Sequence, residues 1–175
     1  MKKFSLLVSA SMLVLLMSSC DWFNKILSVD FNTNSADVSF TVDPTGAGSH
    51  QLKVDVIQSD LEQEIKDNGG DISNLKSVQM EQATAMVISA GRNLDAFQSL
   101  EVIVSSDGNP DDTIAWVDNI PTGVTSVDLT VTTDELKSII DQDQYTVTIN
   151  GVLDEDLTES IDLKVSVIYH VTVGP

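Results

Sequence analysis

The stretch best equipped for chemistry is Asp107-Gly108-Asn109-Pro110-Asp111-Asp112-Thr113-Ile114-Ala115-Trp116-Val117-Asp118. Asp107, Asn109 and Asp111 present oxygens at the 1, 3, 5 spacing of an EF-hand-like calcium loop, and Asp118 falls at position 12. Three features depart from that pattern. Asp112 stands where the sharp turn requires glycine, Pro110 stiffens the middle, and the twelfth side chain is shorter than glutamate. The flanks also read as strands. Asp-Gly-Asn-Pro-Asp is a hairpin turn on backbone grounds alone, so the segment reads as a turn first and a Ca2+ site (Asp107, Asn109, Asp111, Asp118) second. The acidic run from Asp154-Glu155-Asp156 to Glu159 reads the same way.

Catalytic inventories are thin. The chain has two histidines and one arginine. His50 follows a Gly-Ala-Gly-Ser turn and His170 lies on an outward strand position. Neither has a second histidine at ligand spacing, and a zinc site gathers three or four N, S or O ligands. There is no Gly-x-Ser-x-Gly elbow and no phosphate-cradling glycine loop. The adjacent Asp111-Asp112 pair would need partners across an aromatic-lined cleft to hydrolyse a glycoside. With aromatics at 5% of the chain, the expectation is a protein that is not an enzyme and carries no cofactor. The formal charge of −18 repels phosphate backbones, which excludes nucleic acid as a partner. It suits a solvated, non-aggregating surface.

Cys20 is the only cysteine, and its setting is distinctive. Lys2 and Lys3 form a basic start, and Phe4 to Met17 form an apolar run broken only by Ser9 and Ser11. That run falls short of the ~20 residues that span a bilayer and has the length of a signal-peptide core. Leu16-Met17-Ser18-Ser19-Cys20 resembles the lipobox of bacterial lipoproteins, with Met17 where that family prefers Leu, Val or Ile. The resemblance implies cleavage before Cys20 and acylation of its thiol and new amine, palmitate among the acyl groups. Two or three chains would hold the protein on a membrane, since each buried methylene contributes ~0.8 kcal/mol. Trp22 and Phe23 are placed to rest among headgroups or to pack on the body. The resemblance covers these twenty residues alone. It implies the cell envelope, with the outer membrane favoured, periplasmic or surface face. Asp21, beside the lipidated position, is the inner-membrane signal of enteric sorting rules.

The division expected is residues 1–19 as cleaved signal, 20–26 as anchored segment and 27–175 as one domain, a size that supports a single core. Strand alternation dominates that domain. Leu27, Val29 and Phe31 alternate, then Val38, Phe40 and Val42, and after the Asp43–Gly48 turn Leu52, Val54 and Val56, the last two runs as a half-buried hairpin. Ser59-Asp60-Leu61-Glu62 has capping-box spacing, and a two-turn helix runs to the Asn68-Gly69-Gly70 stop. Val78, Met80, Gln82, Thr84, Met86 and Ile88 form a long row that Gln82 and Thr84 interrupt. Leu100–Val104 and Ile114–Val117 flank the Asp107 turn. Val127, Leu129 and Val131 precede Thr132-Thr133-Asp134-Glu135, a second capping-box pattern opening a second short helix. Tyr145–Ile149 follows. Ile161, Leu163, Val165, Val167, Tyr169, Val171 and Val173 make the longest row and predict a central strand.

Roughly nine strands, two short helices and no βαβ rhythm predict an all-β fold, a two-sheet antiparallel β-sandwich. Immunoglobulin-like wiring is the nearest common architecture, without a Cys–Trp–Cys signature to mark it. The domain's look is that of small β-sandwich envelope lipoproteins of unassigned function. The function expected is a non-catalytic, membrane-anchored interaction or structural module with an envelope protein or glycan partner. The alternatives are a carrier holding a lipid or other apolar ligand between the sheets, and cation-dependent glycan or adhesin binding by the Asp107 loop with Trp116. A cavity of several hundred Å³ between the sheets would favour carriage. A close-packed interior would favour the interaction module.

Overall fold

Thirteen residues in strict alternation, Ile161 to Val173, organise the molecule as strand β10. Its seven odd-numbered positions are all buried. The structure is a computed structural model describing residues 28–34 and 36–174. The expected signal, Cys20, Asp21, Trp22, Phe23 and Leu27 lie outside the described residues. Among those described, the earlier elements are β1 (Val29–Asn32), β2 (Ala36–Val42), β3 (Gly48–Gln58), α1 (Leu61–Asp67), β4 (Leu75–Val87), β5 (Phe97–Ser105) and β6 (Asp112–Val117). They continue with β7 (Ser126–Asp128), β8 (Thr130–Val131), α2 (Lys137–Ile140) and β9 (Gln144–Leu153). All the strand pairings between them are antiparallel.

Two five-stranded sheets pack face to face, as the alternation predicted. In the first, β10 lies between β4 on one side and β1 and β2 on the other, with β7 beyond β4. The second runs β3-β9-β5-β6-β8. The wiring departs from the immunoglobulin order, in which the first strand pairs with the second. Here β1 and β2 both pair with the last strand. The expected hairpin of β2 and β3 is likewise not formed. β2 pairs with β10 and β3 with β9, so the Asp43–Gly48 turn carries the chain from one sheet to the other. Val127–Val131 is also divided: β7 joins β4, β8 joins β6, and buried Leu129 between them donates its N–H to Ala83 O.

The interrupted row in β4 has a geometric cause. Opposite Ile168 and Tyr169 the register shifts, leaving Glu81 as an extra residue between Gln82 and Met80. The bulge reverses the phase of everything after it. Val78 and Met80 face the core, then Ala83 and Ala85, while Gln82, Thr84 and Met86 turn outward.

Helix α1 stops as expected. Gly70 donates to Ile65 O and Gly69 to Lys66 O, and Gly69 takes φ 83°, the left-handed conformation of a Schellman end. Neither capping box forms. The Ser59 hydroxyl instead donates to Ile140 O at 2.9 Å, tying α1 to α2. The Glu135 carboxylate accepts from Val78 N and Lys137 N, so α2 begins later and is pinned to β4.

β3 is a long edge strand, the kind of edge that invites pairing with other chains. A bulge at Leu52 defends it by reversing the phase. Lys53 and Asp55 then turn inward opposite Ile149 and Val147, paired to each other at 3.4 Å. Val54 and Val56 face out, 47% and 53% exposed, contrary to the inward row expected. The Asp55 carboxylate also accepts the Val56 N–H. Asp55→Val removes both defences. Light scattering is expected to show a rise of about twofold or more in average mass over the unsubstituted protein.

Candidate functional site

The Asp107 turn is built as a hairpin and not as a twelve-residue cage. Asn109 spends its amide on Ser106 Oγ and Ser138 O, both at 2.9 Å, which locks the turn against α2. Asp112 to Val117 is strand β6, so Asp118 lies roughly 20 Å along the chain from Asp111 at the usual rise of a strand. The structure thus keeps Asp107, Asn109 and Asp111 together and separates Asp118 from them. Among the described residues, no group of three or more His, Cys, Asp or Glu could hold a metal ion.

What the turn does line is an open groove of about 850 Å³. Asp107 and Asp111 form one bank, Asp141 and Asp143 the other, with Tyr145 in its wall. No local sequence pattern marks this meeting, because the β5–β6 turn and the α2–β9 connection lie some thirty residues apart in sequence.

The other candidates have structural partners. His50 Nε2 lies 2.7 Å from Gly46 O, bracing the turn before β3. His170 Nδ1 lies 2.9 Å from Asn32 Oδ1, across the β1–β10 pair. In the acidic loop, Asp156 accepts from Ala47 N and Glu159 pairs with Arg92 at 2.6 Å. Asp111 is exposed and Asp112 half-buried, and Asp112 pairs with Val104 in the β5–β6 ladder. Trp116 stands near the far end of β6 from the Asp107 turn, opposite Glu101. Register places Gln51, Asn150, Glu101, Trp116 and Thr130 in one row across the second sheet. Glu101 accepts from Asn150 within that row and from Thr113 outside it.

Sequence reasoning missed a cluster at the open end of the sandwich, between α1, β9 and β10. Glu64 sits on the inner side of α1, 8% exposed, between buried Leu61 and Ile65. Its Oε1 accepts from Asn34 N at 3.1 Å and Asn34 Nδ2 at 2.9 Å, fastening the connection from β1 to β2. Burial raises its pKa above 4.5, the hydrogen bonds from Asn34 lower it, and the charges of Asp60 and Asp67 raise it further. Tyr169, 3% exposed, has a hydroxyl with no hydrogen bond of good geometry. Burial pushes its pKa well above the ordinary tyrosine range, and Tyr145 beside it is also raised, again chiefly by burial. The two hydroxyls face each other, and a hydrogen bond between them, long or bent, raises Tyr169 and lowers Tyr145. The available sequence signal was Glu64 at i+3 from Leu61, a carboxylate on a helix's apolar side.

The raised pKa fixes a sign. The folded state holds the Glu64 proton more tightly than the unfolded chain, so this group's contribution is most favourable below pH 4.5 and declines as pH rises through the raised value. Glu64→Gln removes that dependence. Melting curves are expected to show the unsubstituted protein losing ground to the variant between pH 4 and pH 7, by about a few degrees at most.

No protein-family model matches the chain, and no curated protein matches it.

Proposed function

We propose that the chain is a non-catalytic lipoprotein of the cell envelope, tethered by acyl groups on Cys20, whose β-sandwich serves as an interaction or structural module. The tether rests on the basic start, the apolar run and the Leu-Met-Ser-Ser-Cys stretch described above. The observation that carries the choice of module over carrier is the filled interior. Between the sheets, the void bounded by Val38, Val102, Val147 and Val165 measures about 10 Å³. An apolar ligand occupies several hundred Å³. Recognition on this body therefore does not take place between the two sheets, and the acidic groove and the outer face of the second sheet offer area for it. Acidity steers the choice of partner toward neutral or basic molecules and away from polyanions.

The test joins the two halves of the reading. Cells producing the protein are labelled with palmitate and fractionated, and cross-linking on intact membranes captures what the body touches. The label is expected on the unsubstituted protein and absent from Cys20→Ala, which leaves the membrane fraction. An unlabelled protein, or a Cys20→Ala variant that sediments unchanged, removes the tether. Co-purification of a stoichiometric lipid that stays bound to the delipidated body would replace the module with a carrier.

A further inference from the structure

The cluster at the open end of the sandwich encloses a cavity of about 70 Å³. Its polar walls include Asn34, Ser59, Asp60, Glu64, Tyr145 and Tyr169. The Glu64 carboxylate is buried, and the ion pairs found among the described residues (Lys53–Asp55, Arg92–Glu159, Lys164–Asp37) leave it out. Its Oε1 takes both hydrogen bonds from Asn34. Tyr169 adds a hydroxyl that is almost wholly buried and makes no hydrogen bond of good geometry, its one polar neighbour of note being the Tyr145 hydroxyl, and a buried group left so is destabilising. Exposed Asn34 and Asp60 place the mouth of the cavity at the surface. Tyr145 is shared between this cavity and the acidic groove of Asp107, Asp111, Asp141 and Asp143.

We propose that this cavity binds a primary ammonium group, the chemistry shared by the tip of a lysine side chain and a small aliphatic amine. An ammonium offers three donors and no acceptor. The Glu64 carboxylate supplies the opposite charge, and the phenol oxygens of Tyr145 and Tyr169 are further acceptors at the cavity's inner end. The cavity volume is roughly that of two water molecules, enough for the nitrogen and its first carbon. A guanidinium or a quaternary ammonium is too bulky to enter. Calcium is poorly served, since among the described residues no group of three or more His, Cys, Asp or Glu could hold a metal ion and this cavity has only the Asp60 and Glu64 carboxylates. The acidic groove next door draws cations toward the mouth. The inference deepens the module reading and rests on it for the biological source of the amine. The binding measurement itself does not depend on the tether.

The test is calorimetric titration of the protein, purified as the cell makes it, with four probes: n-butylammonium, cadaverine, Nα-acetyl-lysine methylamide and tetramethylammonium. The first three are expected to bind and the last to give no heat. Tighter binding of the lysine amide than of cadaverine assigns the source to a polypeptide, and the reverse order assigns it to free polyamine. Glu64→Gln is expected to abolish binding, and Tyr169→Phe, which keeps the ring, to weaken it roughly tenfold or more. Unchanged circular dichroism in each variant separates loss of the site from loss of the fold. No heat with any amine, equal binding of tetramethylammonium, unaltered affinity in Glu64→Gln, or a crystal soaked in butylammonium that holds only water in the cavity would each overturn the proposal. Palmitate labelling at Cys20 would stand in any of these cases. Conversely, amine binding would stand if the labelling failed.

Discussion

Ala83→Asp is expected to leave no folded protein at 25 °C, while Gln82→Asp, one residue earlier, is expected to fold with a melting temperature close to the original. Ala83 is 1% exposed, opposite Val167 in the pairing of β4 with β10. A carboxylate there would lie among apolar side chains with no cation to meet it. Burying an unpaired charge costs several kcal/mol even after relaxation, against a total stability of about 5–15 kcal/mol for a domain. Gln82 is exposed on the other side of the same strand. The pair of variants tests the Glu81 bulge directly, because without it the even-numbered residues would face inward and the outcomes would swap. Circular dichroism and the dispersion of amide proton resonances read the result. A folded Ala83→Asp beside an unfolded Gln82→Asp would place the register one residue out.

Leu163→Ala is expected to lower the melting temperature by about 10 °C. Leu163 is 1% exposed and lies between Phe40 on β2 and Val87 on β4. Truncating a fully buried leucine costs about 2–5 kcal/mol, more where neighbours cannot close the gap. In the middle strand of a sheet, with pairing on both sides, the backbone has little freedom to do so. For a body of this size each kcal/mol corresponds to about 2–4 °C. Lys164→Ala, next along the strand and facing out, breaks an ion pair with Asp37 at 3.0 Å and is expected to move the melting temperature by about 2 °C or less. Calorimetry on the two variants measures the contrast between the faces of β10. Equal losses would show that Leu163 is not in the core.

The sequence made the core strands legible and left their partners hidden. The row from Ile161 to Val173 alternates without a break, so its centrality was readable from hydropathy alone. The Schellman end after α1 was equally plain, since Asn68-Gly69-Gly70 has a local mechanism. Pairing is not local. Whether β2 turns back on β3 or crosses to β10 depends on contacts more than a hundred residues away, and the Asp43–Gly48 turn serves either route. Bulges are quieter still. Glu81 and Leu52 each add one residue to a strand without altering its composition, yet each turns the following side chains over. That is why Gln82 and Thr84 read as flaws in an inward row and Val54 and Val56 as core. Ser59 and Glu62 had the spacing of a capping box, but the Ser59 hydroxyl found a carbonyl at the end of α2 instead. The interval from Asp107 to Asp118 looked local for a related reason: strand β6 draws out the second half that a loop would have closed, and so parts Asp118 from the other three. Nothing along the chain signalled that Glu64, Tyr145 and Tyr169 would converge, since they come from three separate elements.

β1 and β2 share one edge of β10, yet they hold different parts of it. β1 holds His170 to Val173 by four residue pairs, and β2 holds Ile161 to Val167 by seven. Tension entering the body from the N-terminal side would reach β1 first and act on its outermost pair, Val29 with Val173. An antiparallel ladder loaded at one end peels rung by rung, so those four pairs would open in sequence. The load would next meet the connection that Glu64 grips through Asn34. β1 would thus be the first part of the body to yield to such a load, with the longer β2–β10 and β4–β10 ladders holding behind it.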